Sequence, residues 1–147
     1  MLDDLLTQLR QTVADGQSAG LIDAALHPIA EARDPRSIKP LLLMLNDESN
    51  DDGMWSIVHA AEQFEDNEYV GGLVEALPFL HIASTRWASI LMMRLLNSDA
   101  TRLVLVRQIR EAPIEARNVA ASICEGINER DARFLAKTTA VMIAARQ

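Results

Sequence analysis

The chain has a single cysteine, Cys124, so it can close no internal disulfide and has no set of thiolates for a zinc site. Long apolar runs are missing too. The longest, Leu41 to Leu45 and Ala140 to Ala145, fall far below the roughly 18–20 residues a membrane span needs. The first residues, MLDDLLTQLR, are acidic and amphipathic and lack the basic start and apolar core of a signal peptide, so a cytoplasmic protein is expected. Aromatic side chains are scarce: two tryptophans, one tyrosine and three phenylalanines. Lysine and arginine are absent altogether between Lys39 and Arg86.

What remains is an ordinary globular composition, 49% apolar and 24% charged, in 147 residues. That length suits one domain with a real core. The net charge of −7 is unevenly spread. Residues 1–75 hold fifteen acids against four Lys/Arg, and residues 76–147 hold six against ten. An acidic first half repels phosphates and attracts basic partners. The arginines of the second half are scattered over several helices and are joined by few aromatics, Trp87 and Phe134, so a nucleic-acid groove is not indicated there either.

Apolar spacing is helical nearly throughout. Leu2, Leu5, Leu6, Leu9 and Val13 mark a first helix; Ile22, Ala25, Leu26 and Ile29 mark a second. Asp34-Pro35 reads as an N-cap with proline at the first helical position, ahead of Ile38, Leu41, Leu42 and Leu45. A polar turn is expected from Asn46 to Gly53. Pro78 should end or kink the helix that starts near Asn67, and Gly71-Gly72 suggests a close approach of two helices. Cys124 and Met92-Met93 read as core fillers.

The chain also resembles itself. Asp34, Asp66, Asp99 and Asp131 recur at 32–33 residues, followed four positions later by Ile38, Val70, Leu103 and Leu135. Trp55 and Trp87 fall at one position of successive units and suggest a stacked ladder in the core. These units predict an all-α, HEAT-like α-solenoid of helical hairpins, about nine helices in a single domain. Residues 1–33 form an opening hairpin, 34–130 the repeats and 131–147 a closing helix. A lone hairpin cannot bury its apolar stripe, which is why such units stack.

Candidate functional residues concentrate in the cation-free stretch. Asp47, Glu48, Asp51, Asp52, Glu62, Glu65, Asp66 and Glu68 read either as a solvated edge, with Asp66 as an N-cap, or as a docking surface for a basic protein. Ser56, His59 and Glu62 share roughly one helix face. A polar stripe bonded to neighbours such as Arg94 is favoured there over catalysis. The trio has no second acid and no oxyanion turn, and two ligands do not make a metal site. Tyr69, flanked by acids, is the best candidate for an exposed aromatic anchor. No cofactor and no metal are implied.

The segments "DPRSIKPLLLMLND", "MWSIVHAAEQFEDNEYV", "LPFL", "STRWASILMMRLLNS" and "INERDARFLAKT", which span most of residues 34–138, resemble the immunity protein 30 family of bacterial polymorphic toxin systems. Ser56, His59, Glu62, Phe64 and Tyr69 match its first distinctive segment, and Trp87, Arg94 and Asn97 its second. The resemblance implies an all-helical, non-catalytic inhibitor that binds a cognate toxin in the cytoplasm. That toxin is often the C-terminal domain of a contact-dependent growth inhibition effector. A basic nuclease, an endoribonuclease first, would suit the acidic surface from Asp47 to Tyr69, with the inhibitor as a monomer. A HEAT-type interaction scaffold unrelated to toxins is the alternative.

Overall fold

The computed structural model describes residues 1–147 as nine α-helices and no strand: α1 Leu2–Ala14, α2 Ala19–Ala32, α3 Ile38–Leu42, α4 Asp51–Glu62, α5 Asp66–Ala83, α6 Thr85–Leu96, α7 Asp99–Glu111, α8 Ile114–Arg130 and α9 Leu135–Arg146. Local chemistry sets most of the starts. Ser18, Asn50, Ser84 and Ser98 each offer a side-chain oxygen to a backbone N–H in the first turn of α2, α4, α6 and α7. Asp34 and Asp131 start short 3₁₀ turns, Pro35–Ser37 and Ala132–Phe134, that lead into α3 and α9. In each turn the aspartate accepts the backbone N–H two residues on and also the guanidinium of that residue, Arg36 or Arg133. Those contacts hold both carboxyls below the usual aspartate range, chiefly through the side-chain hydrogen bond.

Forty apolar side chains form one core. Its spacing is more regular than the aspartates suggest. Leu9, Leu41, Leu73 and Leu105 lie 32 residues apart and are buried, as are Val13, Leu45, Leu77, Ile109 and Val141. Helices α3, α5, α7 and α9 pack each against the next, while α2 packs on α4 and α6 on α8. The aspartate register slips by one at the third unit, because Ser98 and not Asp99 caps α7. Leu103, expected in the core by that register, is 64% exposed, and Val104 and Leu105 point inward instead. Leu135, the first residue of α9, is also exposed.

Three other expectations change. The polar turn stops at Asn50, whose Oδ1 accepts the N–H groups of Asp52 and Gly53, so Asp51 to Gly53 are already helical. Asp66 is the first residue of α5 and does not cap it; Glu65 holds the cap position, without a side-chain bond. Pro78 does not break α5, which runs on to Ala83 because Leu77 and Leu80 on either side are fully buried. Gly72 meets its expectation. A Cβ there would lie 2.5 Å from Ile38 Cγ2 and 2.9 Å from Ile38 Cβ, so α3 and α5 touch only because it is absent. No helix is long and apolar enough to cross a membrane.

Candidate functional site

The acids singled out in the sequence lie along the turn before α4, on α4 itself and on the first turn of α5. At the α4 end they are tied down. Asn46 folds the turn, its Oδ1 accepting the N–H groups of Glu48 and Ser49, while its own carbonyl accepts Trp87 Nε1 at 3.0 Å. Asp47 accepts the Ser84 hydroxyl at 2.7 Å, and Ser84 in turn caps α6. Arg86 reaches back from α6 to Asp51 at 2.7 Å and to Asp47 at 3.7 Å. The first cation after the basic-free stretch thus folds onto the acids that seemed to lack one. The side chains of Glu48 and Asp52 stay exposed and outside these bonds.

At the other end of α4, Glu62 takes two hydrogen bonds of 2.8 Å from Arg94, which lies 32 residues away at the matching position of α6. The guanidinium also stands 5.2 Å over the Trp55 ring. The Glu62 carboxylate holds the Arg94 pKa above its ordinary value. Trp55 and Trp87 meet edge to face at 5.2 Å, with Trp87 fully buried and Trp55 partly covered. The Ser56 hydroxyl donates to the Asp52 carbonyl of its own helix, and exposed His59 lies against Trp55. Ser56, His59 and Glu62 therefore turn to three different partners, the polar-stripe arrangement. No three His, Cys, Asp or Glu side chains converge as metal ligands do.

The start of α5 is different. Glu65, Asp66 and Glu68 are exposed, and none takes part in an ion pair. Arg33 lines a cleft with Glu65 and Glu68 without reaching either as an ion pair. On the other side of α5 opens a cleft of about 390 Å³, lined among others by Glu62, Asp66, Tyr69, Arg94, Asn97 and Thr101. Tyr69 corrects its expectation. It is 4% exposed, because it lies four residues before Leu73 on the inward stripe of α5 while its acidic neighbours point outward. Its hydroxyl is buried with no hydrogen-bond partner. Burial, with the Glu62 carboxylate adding to it, pushes the phenol pKa well above the ordinary tyrosine value.

Sequence reasoning overlooked Ser84, Arg86, Ser98 and Thr101. Only Arg86 left a signal, as the first cation after a long stretch without one. The geometry defines an all-α protein with one compensated and one uncompensated group of carboxylates. Residues 10–105 match the family model described as Immunity protein 30, and the chain belongs to that family. The match includes every candidate residue from Asp47 to Tyr69 and stops within α7. Membership makes it an immunity protein and implies a toxin as partner. No curated protein and no solved structure matches the chain.

Proposed function

We propose that this immunity protein neutralises one cognate toxin domain in the cytoplasm by stoichiometric binding, without catalysis, through its acidic surface. The toxin is a basic nuclease, an endoribonuclease first, and the carboxylates cover the groove that would hold nucleic-acid phosphates. The observation that carries this reading is the start of α5, where three exposed carboxylates take part in no ion pair. Like charges held together without compensation repel one another, and a basic partner relieves that repulsion.

Within the Asp47–Tyr69 surface, the parts are unequal. Glu48, Asp52, His59, Glu65, Asp66 and Glu68 are available to a partner at once. Asp47, Asp51, Ser56 and Glu62 hold the surface in shape through bonds inside the chain. The constant 32-residue spacing of buried leucines supports a HEAT-like solenoid, which would present these groups on a stiff, single-domain, monomeric edge.

A tagged pulldown from the source bacterium, at low and at high salt, tests the reading. One dominant basic partner, released by salt and encoded beside this chain, is the expected result. Recovery of several housekeeping proteins would favour the HEAT-type scaffold and overturn toxin neutralisation.

A further inference from the structure

In the cleft between α4, α5 and the α6–α7 turn, most of the polar side chains are already engaged. Thr101 already donates its hydroxyl hydrogen to the Leu95 carbonyl at 2.7 Å, and Ser98 Oγ accepts the Thr101 N–H as the α7 cap. Asn97 Oδ1 is occupied by Lys137 Nζ at 2.8 Å on the rim. Arg94 donates through Nε and one Nη to Glu62, so its charge is answered inside the cleft. Besides the Arg94 Nη1 and Asn97 Nδ2 donors, two groups able to accept a hydrogen bond have no partner: the exposed carboxylate of Asp66 and the buried hydroxyl of Tyr69.

Leaving the Tyr69 hydroxyl dry and unpaired costs stability that a phenylalanine in its place would not lose. The fold alone therefore gives no reason for that oxygen. It shares with the unpaired Asp66 carboxylate a cleft lined by two acids and one arginine, and that arginine is already bound to Glu62, with Lys137 on the rim held by Asn97. An anion entering there would face Glu62 and Asp66. A cationic head group would give Asp66 its counter-charge and Tyr69 its missing donor.

We propose that this cleft receives one lysine or arginine side chain of the partner protein, with Asp66 at the mouth and the Tyr69 hydroxyl inside as its hydrogen-bonding groups. The inference rests on the reading that the partner is basic, and it turns that general attraction into one defined contact. Glu65 and Glu68, which do not line this cleft, contribute to attraction at a distance; Asp66 and Tyr69 contribute to the lifetime of the complex.

The test needs no toxin. Methylguanidinium and n-butylammonium, each as the chloride at constant ionic strength, are titrated into the ¹⁵N-labelled protein, with sodium acetate as the anionic counterpart. The amides of Asp66, Tyr69 and Thr101 should shift saturably with at least one cation and not with acetate. Tyr69→Phe should weaken that binding at least about tenfold, while its thermal midpoint stays equal or rises. Asp66→Asn should weaken it too, and Glu68→Gln should not. Absence of a saturable shift, a response to acetate in its place, or a titration unaltered by Tyr69→Phe overturns the cleft assignment. A basic partner recovered by pulldown together with a failed titration would sink the cleft alone, and loss of the basic partner would sink the wider reading.

Discussion

The starts of α4 and α5 carry similar carboxylates in similar places, yet one group is bound into the protein and the other is left open. Asp51 and Asp52 lie in the first turn of α4, and Asp66 and Glu68 in the first turn of α5. Both pairs gain from the positive end of their helix. Beyond that they part. The α4 acids face α6, whose Ser84 and Arg86 bind Asp47 and Asp51, and whose Arg94 binds Glu62 at the other end of the helix. The α5 acids share clefts with Arg33 and Arg94 but pair with neither. The difference shows that charge counted along a chain does not identify a docking surface; what counts is the charge left after the neighbouring helices have answered it.

The hardest blow to the tied half is Trp87→Ala. The indole is fully buried, packs on Trp55 and donates to the Asn46 carbonyl at the base of the Asp47–Ser49 turn. Its loss should cost about 3–5 kcal/mol in urea unfolding, as for other buried aromatics. The backbone of residues 46–50 should also lose hydrogen-exchange protection, and the start of α5 should keep its own. Equal loss at both would mean that the two helix starts are not separate units.

The open half should break differently. Glu65→Lys, Asp66→Lys and Glu68→Lys together should leave unfolding stability within about 0.5 kcal/mol per site. They should also slow association with the toxin at least about tenfold at low salt, an effect that shrinks as the Debye length falls below about 8 Å. Asp51→Lys alone should do the reverse, lowering stability by up to about 1 kcal/mol through loss of the Arg86 pair with less effect on the association rate. If both variants changed only the rate, the comparison between the helix starts would fail.

Much of this was readable in the sequence. Helical spacing, the close approach at Gly72 and the paired tryptophans follow from local rules and a single repeat length. The Glu62–Arg94 link follows as well, since a spacing of 32 residues puts the two at matching positions of α4 and α6. Arg86 was not readable as the partner of Asp51, because 35 residues separate them and the pairing depends on how α6 lies against the turn before α4. Tyr69 misled because acidic neighbours in sequence suggest solvent, whereas its own position, four residues before Leu73, lies on the buried stripe of α5. Leu103 misled through its reference point, since counting from Asp99 put the stripe one residue off.

The Glu62–Arg94 pair measures how much the tied half gains from its cations. Their side chains are 23% and 41% exposed, so solvent screens part of the attraction. Glu62→Gln should lower stability by about 1 kcal/mol, toward the upper end for such pairs because the contact has two bonds. The loss should be smaller in 1 M salt. Glu65→Gln, measured alongside, should change stability by no more than about a few tenths of a kcal/mol. A loss at Glu65 equal to that at Glu62 would reveal a hidden partner at the start of α5.

Arg33 is the residue that could be that partner, and its backbone makes the question answerable by sign. It closes α2 at φ 49° and ψ 36°, the left-handed region that glycine adopts without strain and that side chains with a Cβ avoid. Arg33→Gly removes the strain and the guanidinium together. If Arg33 answers Glu65 and Glu68 as Arg86 answers Asp51, glycine should destabilise the protein, and the loss should be smaller at high salt. If the α5 acids are open, as the absence of any ion pair to Arg33 indicates, only the strain is lost. Stability should then rise by about 0.5–1 kcal/mol, less the entropy glycine adds to the unfolded chain, at every ionic strength. Urea unfolding at two salt concentrations gives the sign. A gain independent of salt leaves the carboxylates of α5 for a partner, and a salt-sensitive loss assigns them to the fold.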